Sequence, residues 1–198
     1  MSGKGVFICV EGLDGSGKTT QAQILTDRLN KSCRAFYTAE PSCGRTGAFI
    51  REGCLYGEKR LPVAAEALLF AADRIDHVEN EIKPALEEGK VVICDRYLYS
   101  SYAYQGGAGL NLGWIKRINS YALKPDYAIF VDVPPERVLE RLRRKKSVME
   151  TLEIQRGVRE VYLSFVKKGE LISIDGDRTK DEVANDLFSK VQSFLATR

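Results

Sequence analysis

The 198-residue sequence predicts an α/β fold, a five-stranded parallel sheet with helices on both faces. Three observations predict it. Short runs almost continuous in apolar residues recur at 5–11, 34–39, 91–95, 127–132 and 170–174, as strands covered on both faces require. Segments with helical spacing lie between those runs, and strand–helix alternation implies right-handed crossovers within a parallel sheet. A glycine-rich turn directly follows the first run and opens into the first helical pattern.

Residues 5–11, GVFICVE, are the first strand. From Gly17 the spacing of Ala22, Leu25 and Leu29 predicts a helix, and 34–39 reads as the second strand. A helical stretch over about 63–88 follows, which Pro84 should kink or interrupt. VVICD at 91–95 is the third strand, with helices over 97–105 and 112–122 behind it. YAIFVD at 127–132 is the fourth, followed by helices over 135–145 and 149–168. ELISI at 170–174 and a helix over 179–196 complete the chain. No repeat, low-complexity tract or Pro/Gly/Ser-rich linker divides it, so a single domain over 1–198 is expected. Its one anomaly is a basic segment at about 137–150, where Arg137, Arg141, Arg143, Arg144, Lys145 and Lys146 crowd together.

Hydrophobic residues make up 44% and charged residues 29%, which excludes a disordered tail, a collagen-like fibre and a disulfide-dependent miniprotein. With 30 basic and 27 acidic residues the net charge is +3, too small to imply nucleic acid. The five cysteines (9, 33, 43, 54 and 94) are odd in number and form no C-x-x-C. Cys9 and Cys94 sit inside strand-like runs, so reduced thiols in an intracellular compartment are expected. The apolar run after Lys4 reaches Glu11 too soon for a signal peptide or a membrane span. The expectation is a cytoplasmic protein without a membrane partner.

Gly12-Leu13-Asp14-Gly15-Ser16-Gly17-Lys18-Thr19 satisfies G-x-x-x-x-G-K-[ST] in the setting that the chemistry requires, after a strand and opening a helix. Its glycines let successive backbone N–H groups turn inward on an anion, and the helix start adds partial positive charge. Lys18 can reach the β and γ phosphates of a nucleoside triphosphate, and the Thr19 hydroxyl can ligate Mg²⁺. A guanine-reading N-K-x-D is missing: Asn30-Lys31-Ser32-Cys33 lacks the aspartate. The chain is also short for an ATPase coupled to mechanical work, which leaves a small-molecule kinase, and the remaining features point to a small phosphorylated acceptor.

The third strand ends in Asp95-Arg96-Tyr97, at the sheet edge where α/β proteins bind ligands. Asp95 can orient Mg²⁺ or its water, and Arg96 can bridge phosphate oxygens; a strand-end ion pair is the alternative. Phe70 and Arg74 share a helix face at i and i+4, suited to stacking on a base and bonding its carbonyl edge. Spacing does not separate this from a core phenylalanine, and Tyr97, Tyr99, Tyr102 and Tyr104 equally suit packing. His77, the only histidine, is expected on a polar helix face with no catalytic part.

EGLDGSGKTT, LLFAADR and DRYLYSSYAYQG, in this order and spacing, together with VDVPPERVLERLRR, resemble the thymidylate kinase (dTMP kinase) family over nearly the whole chain. The resemblance implies a P-loop NTPase fold of the nucleoside monophosphate kinase type and the reaction ATP·Mg²⁺ + dTMP → ADP + dTDP, in dTTP biosynthesis. It implies that Asp14 lies near the sugar 3′-hydroxyl, Phe70 stacks on thymine and Arg74 bonds its exocyclic oxygen. Ser101 and Gln105 would read the pyrimidine edge, while Tyr104 crowds the 2′ position against ribose. Arg51 and Arg96 would hold the acceptor phosphate, with Glu40 near acceptor and metal. Ser42 and Cys43 stand where the family's E-P-G segment carries glycines. The family supplies a cationic clamp either from an arginine within the P-loop or from a basic lid. Leu13, Asp14, Gly15 and Ser16 offer no cation, so Arg143 and Arg144 of the lid are the candidates beside Lys18, Asp95 and Arg96. A homodimer through the apolar faces around 63–82 and 112–123 is also implied. Two rival readings remain: a P-loop kinase with a different acceptor, and a nucleotide-binding regulator that contacts nucleic acid, which the small net charge disfavours.

Overall fold

The computed structural model describes residues 5–55, 61–142 and 151–198. Strands β1 (Val6–Gly12), β2 (Ala35–Ala39), β3 (Val91–Asp95), β4 (Tyr127–Asp132) and β5 (Ile172–Asp175) form one sheet, ordered β2-β3-β1-β4-β5. All four pairings are parallel. These are the five apolar runs of the sequence, displaced by two residues at most. All of β3 is buried, and so is β1 from Phe7 onward, because helices cover both sheet faces.

Register decides where the site forms. Val10 lies opposite Asp95, which in turn lies opposite Ala39. The chain therefore leaves β1, β3 and β2 at one level, bringing the glycine loop, Arg96 and Glu40 to a common edge.

The helices are α1 (Lys18–Leu29), α2 (Arg45–Ile50), α3 (Val63–His77), α4 (Lys83–Glu87), α5 (Leu98–Gly107), α6 (Leu112–Ile118), α7 (Pro135–Arg141), α8 (Leu152–Lys167) and α9 (Lys180–Leu195). The stretch 63–88 is divided by a π-helical segment, Val78–Ile82, and Pro84 sits in the first turn of α4. The helical run continues through the proline, which has no N–H to donate, with the wider π turns lying directly before it. A second π-helical segment, Arg51–Leu55, continues α2. A Thr179–Glu182 capping box fixes the start of α9.

The core joins the sheet to α5 and α8. Phe130 stacks on Tyr162 with ring centroids 4.6 Å apart, and Phe7 meets the edge of Tyr97 at 4.9 Å. Cys9 and Cys94 are register neighbours, buried and free, and burial pushes both thiols up. They pack as small hydrophobes. Among the described residues no helix is long and apolar enough to cross a membrane.

Candidate active site

The loop after β1 curls because Gly15 and Gly17 adopt φ of 86° and 88°, in the left-handed region that side chains disfavour. Lys18 is buried at the start of α1 and donates to the Leu13 carbonyl at 3.2 Å, folding its ammonium back over the loop. Burial, and next the Arg96 charge, push Lys18 down to about 8, while Asp95 and Asp14 partly counter them. Thr19 donates to Asp95 Oδ2 at 2.5 Å. Asp95 Oδ1 is buried and accepts from no described residue.

A cleft of about 420 Å³ opens over this loop. Asp14, Gly15, Gly17, Lys18, Thr19, Glu40, Arg51, Asp95 and Arg96 all line it, so nine residues singled out in the sequence share one cavity. Leu142 also reaches it, from just beyond α7. A Cβ added to Gly15 would stand 3.0 Å from Leu142 Cγ and 3.2 Å from Val138 Cγ1, so the root of the basic segment packs directly on the loop.

Arg96 is the one non-glycine among the described residues with positive φ, at 68°. Such a backbone persists only where its surroundings over-determine it. Here Nη2 donates to Asp14 Oδ1 at 2.5 Å, and Nη1 donates to the Gly12 carbonyl at 3.2 Å and Ser100 Oγ at 3.1 Å. Tyr104 closes the ring: its hydroxyl donates to Asp14 Oδ2 at 2.9 Å, and its face lies 5.2 Å from the guanidinium. Burial pushes the Asp14 carboxyl up, but Arg96, Lys18 and the Tyr104 hydroxyl outweigh it and hold the group below its ordinary value. Beneath Arg96 lies a fully buried carboxylate, Glu11, accepting from Tyr97 N–H (2.9 Å), Ser100 Oγ (2.6 Å) and Tyr162 Oη (3.0 Å). Burial pushes Glu11 up, with Ser100, Arg96 and Tyr162 pulling it back.

On the β2 side, Glu40 is held through both oxygens. Arg74 donates to Oε2 from Nε at 2.9 Å and from Nη2 at 2.6 Å. His77 Nδ1 lies 3.3 Å from Oε1, and its Nε2 lies 2.7 Å from Thr38 Oγ1. A carboxylate only accepts, so Nδ1 carries the proton toward Glu40. His77 lies on a polar face of α3, but that face is buried: it turns inward onto the Thr38 hydroxyl of β2 and the Glu40 carboxylate of the following loop. Arg74 is also buried and bonds Asn119 Oδ1 (2.5 Å), the Tyr97 carbonyl (3.2 Å) and Ser101 Oγ (3.1 Å).

The residues expected at a base do not line the cleft. Phe70 is half-buried on α3 and stands outside the main hydrophobic cluster of the described residues. Ser101, Tyr104 and Gln105 are buried on α5, and Gln105 Oε1 has no described partner. Arg143 and Arg144 lie outside the described residues. Arg141 pairs with Asp177 at 2.7 Å and donates to the Gly176 carbonyl at 3.3 Å. The sequence did not point to Glu11, Asp73, Ser100, Asn119 or Tyr162, and it gave His77 no part in the site. A carboxylate inside an apolar strand was the available signal for Glu11.

Among the described residues no cluster of three His, Cys, Asp or Glu side chains could hold a metal ion. Thr19 Oγ1 and the unmatched Asp95 Oδ1 still suit a hard cation that takes its other ligands from phosphates and water.

Comparison with known proteins agrees on one family. A family model described as thymidylate kinase matches residues 10–187. Relatives named probable thymidylate kinase include one from Pyrococcus abyssi, 43% identical over 97% of this chain and 98% of its own length. Another, from Thermococcus kodakarensis, is 40% identical over 96% and 98%. A protein named thymidylate kinase from Halothermothrix orenii is 37% identical over 97% and 99%.

Proposed function

The chain belongs to the thymidylate kinase family and catalyses ATP-dependent phosphorylation of dTMP to dTDP in dTTP synthesis, and from this premise we propose how its residues divide the work. The observation that carries the division is the convergence of Lys18, Arg96 and Arg51 on one cleft. In-line transfer between two phosphates gathers negative charge, and the protein's task is positioning and neutralising it. The glycine-loop N–H groups and Lys18 hold the β and γ phosphates. Arg51 and Arg96 hold the acceptor phosphate, whose oxygens are already ionised near neutral pH, so no strong general base is needed.

Asp14 receives the sugar 3′-hydroxyl, and Tyr104, pinned by Asp14, blocks the 2′ position. Phe70 stacks on the thymine, while Ser101, Arg74 and the uncommitted oxygen of Gln105 read its edge. Glu40 braces the acceptor side. Thr19 and Asp95 would hold Mg²⁺, which when bound shields phosphate charge. Arg143 and Arg144 complete the clamp from the lid at about 137–150 of a single domain over 1–198. The protein works in the cytoplasm, with no nucleic-acid or membrane partner.

A coupled assay of ADP release with dTMP, dUMP, dCMP and AMP tests the reading. The fastest turnover is expected with dTMP. Activity with dUMP should be lower by about 10- to 200-fold, since one methyl contributes only about 1–3 kcal/mol. Faster turnover with dCMP or AMP would overturn the assignment of Arg74 and Gln105.

The enzyme works as a homodimer. On α3 an apolar stripe faces outward: Ala64, Leu68 (50% exposed), Ala72 and Ile75 (36%). Tyr121, after α6, is 83% exposed. Leu68→Glu with Ile75→Glu is expected to shift sedimentation from twice the chain mass to the chain mass. An unchanged value would place the interface elsewhere.

A further inference from the structure

We propose that Asp73 is a positioning residue for the acceptor phosphate, acting through Ser42 on Arg51. The proposal rests on the reading of Arg51 as a phosphate ligand. Asp73 is buried on α3, and a buried carboxylate is tolerated only when donors fill its oxygens. Both described donors come from one residue: Ser42 N–H donates to Oδ2 at 2.7 Å, and Ser42 Oγ donates to Oδ1 at 2.6 Å. Ser42 Oγ in turn accepts from Gly44 N–H at 3.1 Å.

The other side of the same segment holds Arg51. Its Nη1 donates to the Pro41 carbonyl at 2.7 Å and the Ser42 carbonyl at 2.8 Å. Two acceptors on one nitrogen fix the guanidinium plane, and that guanidinium lines the cleft. Helix α2 removes the remaining freedom, since a Cβ on Gly47 would fall 2.0 Å from the Ser42 oxygen. The direction of Arg51 is therefore set by two carbonyls, and Asp73 holds Ser42 through its side chain and through the Pro41–Ser42 peptide that carries the first of them. Ser42 stands where the resembling pattern has glycine, and glycine would keep the N–H tie but lose the hydroxyl one. In this chain the side chain doubles the clasp.

Asp73→Asn keeps the shape and leaves one Ser42 donor facing an amide N–H₂ instead of an acceptor. With the folded variant we expect the KM for dTMP to rise about tenfold, with kcat within about threefold and the KM for ATP unchanged. The inhibition constant of thymidine, which lacks the phosphate, should not move. Arg51→Ala alone should raise the dTMP KM, and adding Asp73→Asn to it should cost less than about twofold more, as for residues acting in series. A merely structural Asp73 would weaken thymidine and dTMP alike, or add its full factor to Arg51→Ala; either result overturns the proposal alone. An unchanged dTMP KM in Arg51→Ala overturns the reading of Arg51 and the proposal with it. Should thermal melting show Asp73→Asn unfolded, Ser42→Ala takes its place in the same comparison. It deletes only the hydroxyl tie, with an expected rise of about three- to fivefold, and no rise overturns the proposal.

Discussion

Replacing Lys18 with alanine is expected to lower kcat/KM by about a thousandfold, at the upper end of what one preorganised charge contributes to a transition state. The ammonium sits in a buried loop and is folded back onto the Leu13 carbonyl, so it needs little reorganisation to meet phosphate oxygens. Burial and Arg96 hold it down to about 8, against an ordinary 10.5. The sign of the pH dependence follows. Above pH 8 the nucleotide-free enzyme loses this proton, and a bound triphosphate restores it by favouring the charged form. ATP binding should be pH-independent in this respect below 8. Above 8 it should weaken by up to about tenfold per unit, with uptake of one proton. Calorimetry at pH 7 and pH 9, in buffers of different ionisation enthalpy, reads that uptake directly. Affinity that stays flat across this range, or equal uptake by Lys18→Ala, would separate Lys18 from the phosphates.

The second large effect is at Arg96. Arg96→Ala is expected to cost about a thousandfold in activity and about 3–5 kcal/mol in stability, because one substitution breaks two functions. It withdraws a cation from the cleft, and it leaves Asp14 Oδ1, the Gly12 carbonyl and the Ser100–Glu11 pair short of a partner. Arg96→Lys should recover little. Nη2 serves Asp14 while Nη1 serves Gly12 and Ser100, and a single ammonium cannot span both directions. Steady-state kinetics with urea unfolding checks both parts. Arg96→Lys within tenfold of the parent would show that charge alone suffices.

The sheet was readable because strands buried on both faces have no polar alternation to blur them, and β3 and β4 begin and end where their apolar runs do. Helix α2 and the two π-helical segments were not, since they carry no period of their own and depend on contacts such as Gly47 against Ser42. The phosphate end of the site is eight consecutive residues, so local chemistry was enough to find it. The β2 end is built from pairs distant in sequence: Arg74 with Glu40 is 34 positions apart, and Ser42 with Asp73 is 31. No spacing rule couples such residues. The polar face of α3 was legible at His77, but not its partner: that face meets the buried Glu40 carboxylate rather than water.

The closeness of Leu142 to Gly15 bears on what this turn of the glycine loop can accept. Here position 15 is roofed by hydrocarbon and turned to an angle that disfavours any β-carbon. An arginine at position 15 would have to displace the Leu142 and Val138 side chains and hold a backbone angle suited to glycine, so this turn of the loop does not gain a cation by one substitution.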